Sequence, residues 1–196
     1  MIIAKIVNLF LLIWEKEHDR ELKKKCVCSK NTTFFSDAVM MNCASRENIH
    51  IGANCNIRGS INLHSRQGKV EIGDYFYLGK NSNIWCYDRK VHIGDRVLIA
   101  HNVDLFNNNT HPVTPQLRFL HYKSIINEGI YESPEIEGKD TIIDDDVWIG
   151  CNCVILKGVH IGRKTIVAAG SVVVSDIPEG VIVGGNPARI LKKLKD

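Results

Sequence analysis

The chain has 196 residues, of which 44% are hydrophobic and 24% charged, which fits one ordinary soluble globular domain and excludes a disordered or fibrous chain. A net charge of +3 with a pI near 8.4 carries no basic stripe or nucleic-acid reading motif, so a nucleic-acid partner is not expected, whereas a pocket for phosphates is compatible with it. Seven cysteines, an odd number without paired C-x-x-C metal spacing, read as small core residues in a reducing compartment, and the expected location is cytoplasmic.

In chain order, residues 1–30 form the first segment. Residues 1–14 are nearly all apolar and are followed by a charged run from Glu15 to Lys25. The apolar run is shorter than the about 20 residues a bilayer span needs, and it lacks the charged start and small-residue cleavage site of a secretory signal. It predicts a helix that packs on the rest of the protein or on a neighbouring subunit. The competing reading is a helix on the inner membrane face, with residues 1–25 in peripheral contact.

Residues 26–48 show little period, although Thr32 to Val39 can be read as a first irregular coil. A period of six then appears. Aliphatic residues recur at Ile51, Ile57 and Leu63, at Ile72, Leu78 and Ile84, and at Ile93, Ile99 and Leu105. It returns at Ile143, Ile149, Ile155, Ile161, Val167 and Val173, with Val147, Cys153, Val159, Thr165 and Ser171 at the fifth place of each hexad. Six fits neither a helix nor a plain strand. It fits a chain wound into a triangular prism, one hexad per side, whose opening aliphatics point inward and stack from turn to turn. Ile51, Ile72 and Ile93 are 21 apart, three more than three hexads hold, so each of these turns must bulge near 64–69 and 87–90. Gly and Asp or Asn after the opening aliphatic suit the positive φ of a sharp corner.

The period stops from Phe106 to Thr141. An excursion of this length, read here as lacking secondary structure, is uncommon inside a compact repeat and is usually functional. The solenoid is expected to cover 31–185 with 106–141 inserted, and to close with a turn at 175–180. Asn186 and Pro187 predict a short C-terminal helix over 186–196, with Asn as N-cap and Pro at its first position.

The motifs along this frame resemble those of the left-handed β-helix acyltransferases, in particular the galactoside, maltose and polysaccharide O-acetyltransferases. They are Ile93, Gly94 and Asp95 with Ala100 and His101; Thr110, His111, Pro112 and Val113 with Arg118; Asp146, Val147, Trp148, Ile149 and Gly150; Ala168 to Ser171; and Asp176 to Pro178 with Gly185 to Arg189. The resemblance covers roughly residues 72–194 and implies an all-β, left-handed parallel β-helix. Its implied activity is the transfer of an acetyl group from acetyl-coenzyme A to a sugar hydroxyl, without a metal. Residues 1–50 lack a clear counterpart of the maltose-type N-terminal segment, which favours the capsule and lipopolysaccharide members.

Acetyl transfer from a thioester to an alcohol needs a base for the hydroxyl proton, and an imidazole with a pKa of about 6.5 suits it. By the resemblance that base is His111. Asp88 takes the place of an aspartate that accepts hydrogen bonds from acceptor hydroxyls. A family asparagine falls on Lys80, with Asn81 and Asn83 close by, and a lysine there suits an acidic or phosphate-bearing acceptor. Arg118 joins this acceptor set, and Glu128 and Tyr131 lie within the excursion. Trp148 matches a tryptophan beside the thioester end of the cofactor, and Cys151 and Ala169 offer main-chain contacts to the pantetheine arm. The cofactor phosphates would be met by Lys164, Arg189, Lys192 and Lys193. The resemblance also implies a homotrimer with its sites between subunits. Three rivals remain: zinc held by His101, His111 and His121 as in a hydratase, a non-catalytic scaffold, and an N-acyltransferase acting on an amine.

Overall fold

The structure is a computed structural model and describes residues 2–129, 133 and 135–195; the side chains of residues 2–5 are not described, and Tyr131 lies outside the described residues. After an N-terminal helix, α1 (Ile2–Lys24), the chain winds through three sheets in rotation. The first sheet holds Val27–Cys28, Ile49–Ile51, Lys69–Ile72, Lys90–Ile93, Thr141–Ile143 and His160–Ile161. Thr33–Phe34, Asn56–Ile57, Tyr77–Leu78, Leu98–Ile99, Trp148–Ile149, Ile166–Val167, Val181–Gly184 and Arg189–Lys193 form the second. The third is Val39–Asn42, Ser60–Leu63, Asn83–Cys86, Asp104–Phe106, Val154–Ile155 and Val172–Val173. Successive coils pair in parallel and in register, so Ile51 lies beside Ile72 and Ile72 beside Ile93. The expected parallel β-helix is present, and its first coil begins at Val27.

The hexad reading explains the interior. Ile57, Leu78, Ile84, Ile93, Ile143, Ile149, Ile155, Ile161 and Val167 are fully buried, as are the fifth-place Cys153, Thr165 and Ser171. Because each coil buries its aliphatic row only against the next coil, the core is a continuous column. Ordinary residues would strain the corners. Non-glycine residues with positive φ recur where the first sheet turns into the second, at Asn54, Tyr75, Arg96, Asp146 and Lys164, and where the second turns into the third, at Asn81, Asn102 and Asn152. An aspartate two residues past the last aliphatic of each first-sheet strand ties one coil to the one before: Asp74, Asp95 and Asp145 accept from the N–H of Ala53, Asp74 and Asp95 at 2.7, 2.7 and 2.8 Å. Gly73 is required here because a Cβ would meet the Asp95 carboxylate at 2.2 Å. The longer coils bulge at 65–67 and 87–89, as the spacing of 21 demands.

The C-terminal segment corrects the sequence reading. Instead of a helix over 186–196, the chain turns at Asn186 and Pro187 and returns as the strand Arg189–Lys193, antiparallel to Val181–Gly184. The unpaired edge of that last strand offers donors and acceptors along its length, which outweighs the local helix-start signal. The lysines of the returning strand then leave a charged edge that resists further pairing.

The helix α1 divides at its middle. In its second half Leu22 is buried, Asp19 accepts from the Phe34 N–H at 2.8 Å and His18 donates to the Ala38 carbonyl at 2.9 Å, so this half packs on the first coil. Ile6, Val7 and Leu9 to Trp14 are exposed. No described helix is long and apolar enough to cross a membrane.

Candidate functional site

The excursion leaves the prism at the edge between the third and first sheets, after Asp104–Phe106, and rejoins it at Thr141–Ile143. Its two ends are stitched into a neck. Lys139 N–H donates to the Asn107 carbonyl at 2.8 Å, Asn108 and Gly138 form an antiparallel bridge, and the Thr141 hydroxyl donates to the Phe106 carbonyl at 2.9 Å. Asn107 is fully buried and satisfied: its amide donates to the Arg89 carbonyl and accepts from the Tyr87 N–H, each at 2.9 Å. The run of three asparagines beginning at Asn107 is the signal by which sequence reasoning could have found this plug.

Beyond the neck the excursion is not structureless. Residues Pro115–Glu128 form a helix, α2, started by Pro115 in its first turn after Thr114 and stopped by Gly129 at φ 69°. The helix escapes a periodicity search because it has no apolar stripe. Phe119, Leu120, Tyr122 and Ile126 are all exposed, and the one buried residue of α2 is His121.

That buried histidine meets His111. The two Nδ1 atoms lie 3.1 Å apart and the rings meet edge to face, with centroids at 5.2 Å. Burial pushes the His111 pKa below the ordinary imidazole value, and the nearby His121 and Arg118 push it the same way. The neutral, proton-accepting form therefore persists to lower pH than in free histidine. The preceding residue, Thr110, is held at φ 61°, an unusual backbone for a β-branched side chain, with its N–H donated to the Asn108 side chain at 2.9 Å. Arg118, expected in the acceptor set, reaches back from α2 and donates to the carbonyls of Val113 at 3.0 Å and Pro112 at 3.4 Å. It ties the histidine segment to the helix.

The other expected residues separate by prism edge. Asp88 stands on the same edge as the excursion; its Oδ1 is buried beside Gly138 with no hydrogen-bond donor among the described residues. Lys80 lies at the edge between the second and third sheets, 4.0 Å from Asp37 and largely exposed, and Asn83 begins the third-sheet strand there, donating to Asp104 at 2.8 Å. One chain does not bring these two to His111. The cofactor set also sits away from it. Trp148 is half exposed on the second sheet, in an apolar column with Tyr77, Leu98 and Ile166. Cys151 and Ala169 turn successive coils at the second–third edge, where the Cys151 carbonyl accepts from Gly170 at 2.9 Å. Lys164 and Lys193 line one hollow with Arg163, and Arg189 and Lys192 lie exposed on the returning strand. Among the described residues no three His, Cys, Asp or Glu side chains converge as a metal site, so His101, His111 and His121 do not form the zinc triad weighed as a rival. Glu128 ends α2 and is exposed.

Comparison with known proteins bears on this geometry. Residues 140–175 match the family model described as bacterial transferase hexapeptide (six repeats). The chain is 30% identical over 146 residues to the galactoside O-acetyltransferase of Lactococcus lactis, covering 74% of this chain and 63% of that protein. A hexapeptide-repeat acetyltransferase of Vibrio cholerae, solved with acetyl-coenzyme A, superposes with a TM-score of 0.55 at 26% identity, over 93% of this chain and 79% of that one. An N-acyltransferase of Bacillus cereus, solved with dTDP and coenzyme A, superposes with a TM-score of 0.68 at 22% identity, over 90% of this chain and 89% of that one, which is a likeness of fold. The chain spans 57%, 63% and 55% of the lengths of three curated relatives it matches. Three stacked parallel sheets with inward hexad aliphatics give this chain the fold of the hexapeptide-repeat, left-handed β-helix transferases, and residues 140–175 carry the repeat of that family.

Proposed function

We propose that the chain is an acetyl-coenzyme A-dependent O-acetyltransferase that acetylates a sugar hydroxyl, with His111 as general base. The observation that carries this reading is the His111 imidazole, held at the mouth of the excursion with its Nδ1 against His121 and its pKa lowered. The acceptor oxygen attacks the thioester carbonyl, His111 takes the hydroxyl proton, the carbon–sulfur bond breaks, and the departing thiolate recovers a proton from the imidazolium. Asp88, on the same edge with a third of its side chain exposed although Oδ1 is buried, is suited to accept from a neighbouring acceptor hydroxyl through Oδ2.

The cofactor contacts assigned to Trp148, Cys151 and Ala169 belong to the second sheet and its far edge, whereas His111 belongs to the opposite edge of that prism. A complete site then joins the His111 edge of one copy to the Trp148 face of another, which supports a homotrimer. In that arrangement Lys80 and Asn83 also come from a second copy, and the ammonium of Lys80 favours an acidic or carrier-linked glycan of a surface polysaccharide over a simple sugar. The test is thiol release from acetyl-coenzyme A against simple galactosides, uronic-acid and sialylated glycans, nucleotide sugars and amines. Turnover on a hydroxyl acceptor that is lost in His111→Ala supports the reading. Turnover on amines alone, or unchanged turnover in His111→Ala, overturns it.

A further inference from the structure

Of the 14 residues of α2, only His121 is buried, and what it meets is the other imidazole of the site. Leu117 and Ile125, one turn either side of His121 on the same face, are only half-buried, so the hydrophobic effect holds this helix weakly and the polar contact carries weight. Two nitrogens 3.1 Å apart make a hydrogen bond only if one carries the proton and the other presents a lone pair. With both rings neutral there are two ways to do this. If His121 donates, the His111 proton must sit on Nε2, and both nitrogens of His111 are then unable to take a proton from an acceptor. If His111 donates from Nδ1, its Nε2 is left as a lone pair.

We propose that His121 is the positioning residue of the site, accepting the Nδ1–H of His111 and so fixing the base in the tautomer whose Nε2 can take the acceptor proton. This rests on the reading of His111 as general base. The arrangement is the familiar one of a base oriented by a third group, with a second imidazole in the place of a carboxylate. A carboxylate in that place would add a full negative charge beside the imidazolium and hold it far more strongly than an imidazole lone pair can. Among the described residues, the charged groups that face the pair are Arg118 from α2 and Glu135 from the returning arm of the excursion. Arg118 holds the 112–113 carbonyls, so the same helix fixes both the backbone and the ring of the base.

The experiment begins with the unsubstituted protein. Long-range proton–nitrogen correlation of the histidine rings, at a pH where His111 is neutral, is expected to show His111 protonated on Nδ1 and bare on Nε2. In His121→Phe the preference should revert to the Nε2–H form, kcat should fall on the order of 10²-fold with KM for acetyl-coenzyme A unchanged, and the acid limb of the rate profile should shift. His121→Asn, whose side-chain oxygen can accept in place of Nδ1, should recover most of that loss. His111 protonated on Nε2 in the unsubstituted protein overturns the proposal, with no variant needed. So does His121→Phe with undiminished kcat and an unmoved profile. Full turnover in His111→Ala instead overturns the general-base reading and with it the role of His121; that result is distinguishable because the tautomer signature of the unsubstituted protein stays as found.

Discussion

The solenoid body and the excursion are held together by opposite means. In the body, each coil repeats the contact made by its neighbours: an inward aliphatic on the next aliphatic, a corner aspartate on the previous N–H, an asparagine side chain on the next asparagine, as in Asn81, Asn102 and Asn152. Any one contact has many equivalents. In the excursion each contact occurs once: Asn107 in the neck, Thr110 in its strained turn, Arg118 on two carbonyls, His121 on His111. Redundancy suits a scaffold, whereas single contacts suit a site whose geometry must be one thing.

This contrast can be broken most sharply at His111. Removing its imidazole in His111→Ala should cut turnover by about 10²–10⁴-fold while leaving the thermal midpoint where it was, measured by thiol release and scanning calorimetry on the same preparation. A shallow loss of turnover with a lowered midpoint would mean that the residue is structural. The converse substitution is Ile149→Ala, in the middle of the buried column, which should cost about 2–5 kcal/mol in a denaturant titration yet leave kcat per folded molecule unchanged. Asn107→Ala stands between the two regions. It strips partners from the Arg89 carbonyl and the Tyr87 N–H, and should cost about 1–3 kcal/mol while also lowering turnover, because the neck positions everything beyond it.

The smallest expected effect concerns pH. Burial, then His121 and Arg118, lower the His111 pKa in the folded protein, so the acid limb of kcat/KM should inflect below the free-imidazole value of about 6.5. The linkage has the corresponding sign: as pH falls through the unfolded value, the unfolded chain binds the proton more readily than the folded one, and stability declines. His111→Ala should therefore blunt the acid loss of stability. An inflection above the free-imidazole value would place a carboxylate against the ring and remove His121 from its assigned position.

The same contrast decides what could be read from the chain alone. The hexad aliphatics announce the body because a period of six repeated over many coils survives any single exception, and the bulges follow from the spacing of 21 between Ile51, Ile72 and Ile93. The helix in the excursion had no such voice. It holds its place largely through His121 and Arg118, with few apolar residues covered and most of them exposed, and only Pro115 and Gly129 mark its ends. His111 was legible through the Thr110 to Val113 motif, but its partner ten residues on was visible only as a candidate zinc ligand. The tail was misread for a different reason: Asn186 and Pro187 are a sound local helix signal, and a sheet edge far away in sequence overrode it.

One feature of the neck reaches beyond this molecule. The coil before the excursion and the coil after it pair in unbroken register, Val91 beside Thr141 and Asp104 beside Val154, as though nothing had been inserted between them. The body is therefore indifferent to what hangs from that edge. A lineage could lengthen, shorten or replace the loop without renegotiating the fold, and so try new acceptors on an unchanged frame. For an engineer the same edge is a socket: a loop grafted between residues 107 and 140 that preserves the stitching should inherit the scaffold and bring its own specificity.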